Sequence, residues 1–274
     1  MRRNLSGFSL LFSGTTLLFL AFSGYVTFAE DPVVGGSGGT KLLPDILGIK
    51  VGMAALEVRE IVKKQFPPET IESKTAALLD SKFLSVLHVK VKNSFNPTEA
   101  IAVKFASPPN ENRVTYVMRT SWPSNQQTPL KNEVLTKALT DKFGKPSDEM
   151  NLGNGYERNL YWFWDMSGKP TSETKDNIVR DCENAIPQDP ARLDFEVVED
   201  PIQSKVALKR GCATGVRVWM QSPDLALVRM YTVTAIDFDA RVSSATRTNQ
   251  YLADRERTEK EKVLEKASGN KPRL

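Results

Sequence analysis

Between residues 55 and 66 the apolar side chains fall at Ala55, Val58, Ile61, Val62 and Phe66. This three-and-four spacing lays one stripe along a helix. Glu57, Arg59, Glu60, Lys63 and Lys64 lie mostly on the opposite face, and Pro67 with Pro68 stops the run. The period then changes to two. "KFLSVLHVKVK" sets Phe83, Leu87, Val89 and Val91 on one side and His88, Lys90 and Lys92 on the other. "AIAVKFA" presents Ile101, Val103 and Phe105, and "RVTYVMRTSW" presents Val114, Tyr116 and Met118. Such alternation marks strands, and the Asn-, Pro- and Ser-rich "NSFNPTE" and "SPPNENR" between them mark turns. Residues 42–123 therefore read as a helix followed by a three-stranded meander.

The same pattern recurs over residues 124–240. Val134, Leu135, Ala138, Leu139 and Phe143 form a second helical stripe, ended by Gly144 and Pro146. Aligning Phe66 with Phe143 superposes Val62 on Leu139 and Ile61 on Ala138. "RNLYWFWDM", "TGVRVWMQ" and "LALVRMYTVTAIDF" follow as strands. The predicted class is α+β: two tandem units, each a helix packed on an antiparallel meander. An insertion over residues 166–211 interrupts the second unit, with "SGKPTSETKDN" reading as loop and "ARLDFEVVE" as a short strand. Residues 241–274 carry a dense charge pattern and only a thin apolar stripe through Val242, Ala245, Leu252, Val263 and Ala267. They predict a protruding charged helix and tail, the stripe being too sparse to favour a coiled coil.

The N-terminus changes where this fold is expected to work. Arg2 and Arg3 precede an apolar stretch from Phe8 to Phe22, and "VTFA" closes at Ala29 with small residues at the positions a signal peptidase inspects. Residues 1–29 read as a cleaved signal peptide, and the Gly-rich residues 30–41 as a flexible leader. The mature chain is then expected in the periplasm or the extracellular medium. Cleavage lowers the formal net charge from +4 to +2. So small and interspersed a balance argues against nucleic acid as a partner. No apolar run beyond residue 29 is long enough to span a bilayer. The glycines before the first helix do not make a phosphate loop either, because the further glycines and the Lys-Ser/Thr pair are missing. Gly52 reads as a tight entry turn.

"GIKVGMAALEVREIV" resembles the G-x-x-x-G-M-[ST]-x-x-E-V signature of small exported α/β domains. These include the outer-membrane assembly lipoproteins of the SmpA/OmlA (BamE-like) type and the tandem-unit β-lactamase inhibitory proteins. "LTDKFGKPS" followed by "YWFWD" resembles the second half of that pattern. The layout is also similar to that of uncharacterised exported bacterial proteins. Ala54 stands at the usual Ser/Thr cap position, and a lipid-bearing cysteine is missing. The resemblance implies helices across one sheet face, with the other face left for a partner.

Catalytic signatures are sparse. The lone histidine, His88, shares the phase of Lys90 and Lys92 and is expected to face solvent, with no G-x-S-x-G elbow to accompany it. One imidazole and two distant cysteines form no metal-ligand cluster, and no cofactor is expected. Asp237 and Asp239 share one side of a strand end, as a D-x-D metal site would, but helix capping also explains them. In "YWFW", Tyr161 and Phe163 point to one sheet face and Trp162 and Trp164 to the other. One pair is expected under the helix. The candidate binding set on the far face is Trp162, Trp164, Arg217, Trp219, Arg229 and Tyr231, residue types that dominate interface hot spots. Alternatively, a second helix or the 166–212 segment covers that face and both pairs are core. Cys182 and Cys212 bracket the insertion. An exported chain with two cysteines is expected to join them, the alternatives being buried thiols or a redox pair. The functional expectation is an exported non-catalytic protein that binds a protein or an envelope glycan. The alternative is an envelope hydrolase, acting on a glycan or glycoside, that uses carboxylates such as Asp165, Asp237 or Asp239.

Overall fold

The computed structural model describes residues 41–268 except 94–95, 111, 126–128, 153–154, 172–175, 188–200 and 224–225, and does not describe the side chains of 176–179. The expected signal peptide, nearly all of the leader and the "ARLDFEVVE" strand lie outside the described residues. A short hairpin of β1 (Asp45–Ile46) and β2 (Ile49–Lys50) leads through Gly52 into helix α1 (Ala55–Gln65). Gly52 has φ +83°, a left-handed turn conformation that side chains resist. Strands β3 (Ile71–Leu78), β4 (Ser81–Lys92), β5 (Pro97–Phe105) and β6 (Val114–Ser121) follow. After β7 (Leu130–Lys131) come α2 (Asn132–Phe143), β8 (Asp148–Leu152) and β9 (Glu157–Trp164). The insertion carries α3 (Asp176–Asn184) and α4 (Ile202–Lys209). The chain closes with β10 (Thr214–Gln221), β11 (Leu227–Val228), β12 (Met230–Asp237) and the long α5 (Phe238–Ser268).

Eight of these strands form one antiparallel sheet in the order β3-β4-β5-β6-β12-β10-β9-β8, while β7 and β11 pair separately. The class is α+β, as expected. The meander after α1 has four strands rather than three, because the polar edge strand β3 joins it. Another edge strand, β8, precedes β9. Both edges bury little: Leu78 is the one buried residue of β3, and β8 has none.

The two sheet faces are covered differently. On one, Val58 and Val62 of α1 and Leu135 and Leu139 of α2 pack with Leu87, Val103, Val117, Val216 and Val218. Phe66 ends α1 by returning its N–H to the Val62 carbonyl, as the following prolines require. Gly144 ends α2 with its N–H on the Thr140 carbonyl. On the other face a second core joins Tyr116, Tyr161, Phe163 and Ile236 to Cys182, Ala207 and Phe238 of the helical layer. Gly215 permits this contact. A Cβ there would stand 3.0 Å from the Phe163 ring and 3.2 Å from Phe238, so β10 needs a residue without one. Cys182 and Cys212 are joined at 2.07 Å, tying α3 to the start of β10. The helix expected from residue 241 begins earlier, at Phe238, and buries Phe238, Ala245 and Thr248 before its charged half emerges.

A trough on the open half of the sheet

The helical layer covers only one end of its sheet face. Two cross-strand rows define what remains. Lys90 lies opposite Ala100, Ala100 opposite Thr120, Thr120 opposite Thr232, and Thr232 opposite Trp219. The second row runs His88, Ala102, Met118, Thr234, Arg217 by the same pairings. Four strand spacings of about 4.8 Å place the two ends of each row about 19 Å apart. The floor is therefore made of Ala and Thr, with long side chains standing at both sides. Trp122 and Met230 line the end away from the helices. The resulting trough has a volume of about 640 Å³.

One wall is pre-oriented. Arg217 donates from Nε to the Asn159 side-chain oxygen at 2.9 Å and hydrogen-bonds the side chain of Tyr161. Asn159 is itself buried. Trp219 donates its indole N–H to Glu157 at 3.3 Å. On the opposite wall Lys90 pairs with Glu72 at 3.2 Å, and that cation, by hydrogen bond and charge, holds the Glu72 carboxyl below its usual range.

Behind Arg217 lies Glu183 of α3. Burial first, then the hydrogen-bonded and like-charged Asp148, pushes its pKa up to about 7, against the pull of Arg180 and Arg217. Burial likewise raises the Tyr161 hydroxyl, with Arg217 opposing. A second depression, beside β8 and β9, is lined by Glu149, Tyr156 and Arg158 among others. Its guanidinium is already clamped by both Glu149 oxygens at 2.7 and 2.8 Å, so it offers less to a ligand.

The candidate residues separate. Arg217 and Trp219 line the trough together. Trp162 and Trp164 are on the other face, buried against Phe143 at ring distances of 5.5 and 6.4 Å. The Trp162 indole donates to the Gly144 carbonyl at 2.8 Å. Tyr231 is buried in that same core. Arg229 is exposed outside the lining, and its backbone holds Gln221 and Ser124. The pair on the far face is Tyr161 and Phe163, covered by the insertion. His88 departs from the expectation of a solvent-facing residue: at 9% exposure it is buried in the trough wall. Its phase is right, but this face is concave there. Met118, read from alternation only as a strand position, joins Thr232 and Thr234 in the site, a grouping that only the pairing register reveals.

No family model, curated protein or solved structure matches the chain. The site therefore rests on its own chemistry.

The carboxylates have structural partners. Asp237 is buried, accepts from Lys41 at 2.6 Å and caps α5 through the Ala240 N–H at 2.8 Å. Asp239 meets the same Lys41 at 3.2 Å. Asp165 closes a turn, its carboxyl held below the usual range chiefly by the Ser167 hydroxyl and also by the Ser167 and Lys169 N–H groups. Among the described residues no group of three or more His, Cys, Asp or Glu side chains is placed to hold a metal. Among the same residues no helix is long and apolar enough to cross a membrane.

Proposed function

We propose that the mature chain is an exported, non-catalytic binding protein that takes another macromolecule in this trough. In this reading the chain is two tandem helix-and-meander units sharing one sheet, of the kind its opening motif resembles. The observation that carries the proposal is the uneven cover of one sheet face. The disulfide-tied helices bury Tyr161 and Phe163, while the neighbouring rows keep small side chains on the floor and half-buried Trp219 and Arg217 at the wall. A face intended only to be solvated has no use for a tryptophan and a braced guanidinium beside a cleared floor. Trp and Arg are also the types that concentrate binding energy.

Replacing Trp122 by p-benzoylphenylalanine places a photo-cross-linker at the trough end, and the same residue at Val134, exposed on α2, serves as control. Irradiation with an envelope fraction should give a macromolecular adduct from position 122 and none from 134. Trp219→Ala should remove the adduct while keeping the melting temperature within about 3 °C of the parent, as expected for a loss below about 1 kcal/mol. Equal adducts at both positions, or a large fall in melting temperature with Trp219→Ala, would overturn the assignment.

A further inference from the structure

We propose that the trough's occupant is an acidic polypeptide segment, seated with one carboxylate on Arg217 and its apolar side chains over the Ala–Thr floor. This rests on the reading of the trough as a binding site and deepens it to a ligand class. Arg217 stands at one wall and Lys74 and Lys90 at the other, Lys90 shared with Glu72 outside the lining, while Glu157 is the one acidic residue in the lining. Glu157 is engaged by the Trp219 indole. A partner presenting carboxylates meets a cation at each wall, Arg217 on one side and the lysines on the other, which speeds encounter and fixes register.

Arg217 is braced from behind by Asn159 and Tyr161, so its fork needs little ordering on binding. A guanidinium held this way suits a planar carboxylate, which it can grip through two parallel N–H bonds. The floor favours polypeptide over sugar. The hydroxyls of Thr120 and Thr232 bond each other at 3.0 Å. That pairing leaves methyl groups, with Ala100, Ala102 and Met118, as the floor. An apolar floor beneath a cationic rim suits a peptide bearing both leucine-like and acidic side chains. A glycan would ask for a row of free hydroxyls and amides. Met118 and Met230 add adaptable, polarisable surface of the kind used to accommodate varied side chains.

The probe is a fluorescein-labelled peptide of alternating Glu and Leu, capped at both ends, followed by anisotropy with the purified protein. Its Gln–Leu counterpart and an oligogalacturonate of matched charge are the comparisons. The Glu–Leu peptide should bind more weakly as salt is raised, and about tenfold more tightly than the Gln–Leu peptide. Arg217→Gln should cost about tenfold as well, the loss of a charge-assisted pair. Equal binding of the two peptides, or no effect of Arg217→Gln, overturns the carboxylate assignment. Preference for the oligogalacturonate overturns the polypeptide class but leaves the trough a binding site. Failure of every probe rejects the acidic-peptide assignment. The cross-link from position 122 then decides whether the trough reading fails with it.

Discussion

Among the described residues, Glu183 is a carboxyl whose ionisation opposes folding. Its side chain is buried, one carboxyl oxygen has no hydrogen-bond partner, and its pKa is pushed up to about 7 from 4.5. A carboxyl with a raised folded-state pKa binds its proton more tightly in the native chain than in the unfolded one. Its contribution is fully present below about 4.5 and is lost as pH rises through about 7. The unfolding free energy should therefore fall between pH 5 and pH 8 by roughly 2–3 kcal/mol, from the size of the shift. Glu183→Gln should remove most of that slope in denaturant titrations. A variant with the parent's slope would place the titration elsewhere. The same scale shows what alternation can and cannot reveal. Counting by twos correctly separated Trp162 and Trp164 from Tyr161 and Phe163, but which pair meets α1 and α2 is not a property of strand β9. It is settled by register: Arg217 lies opposite Tyr161 and Trp219 opposite Asn159. The trough residues therefore share a face with Tyr161, and the two tryptophans of β9 belong to the core.

Among the elements, α1 shows how a motif residue leaves a gap. Ala54 has the extended φ and ψ of an N-cap, and its N–H reaches the Glu57 carboxylate at 2.8 Å. That is half of a capping box; Ala54 has no hydroxyl to return to the Glu57 N–H. Ala54→Ser should complete the pair and stabilise the protein by about 0.5–1 kcal/mol, read as a higher denaturant midpoint at unchanged slope. No gain would mean that the helix start is already satisfied by another donor–acceptor arrangement. Both long stripes, α1 and α2, were legible because each must bury one face. The six inner strands were legible for the same reason. Strands β3 and β8 were not. An edge strand has one neighbour and little cover, so "IESKTAAL" and "DEMNL" need not alternate. Helices α3 and α4 escaped too: each is short, and the span between them carries no long periodic run that fixes its length.

For the whole molecule, the single disulfide ties one end of the helical layer to the sheet that it covers. Cys182 and Cys212 are separated by 30 residues, and both are fully buried beside Phe163 and Ala207. The bridge anchors α3 to the start of the strand that carries Arg217 and Trp219 and lies within the second core. The α4 helix packs between α3 and α5, and the three together cover Tyr161, Phe163 and Ile236. In the chain-entropy account, closing a loop of this length restricts the unfolded ensemble by about 3–4 kcal/mol. Replacing both cysteines by alanine should therefore lower the melting temperature by roughly 10 °C. Helices α3 and α4 should lose protection first, since what remains to hold them is their apolar packing, the part-exposed Arg210–Asp181 ion pair at 2.7 Å and the Glu183–Asp148 hydrogen bond. Hydrogen exchange should show faster exchange in α3 and α4 at temperatures where β4, β5 and β6 remain protected. Arg217 should feel the change through Tyr161, which braces it from β9 and lies under this helical layer. A double variant with unchanged melting temperature and unchanged exchange in α3 would show that packing alone holds the cover, and that the trough's wall does not depend on the bridge.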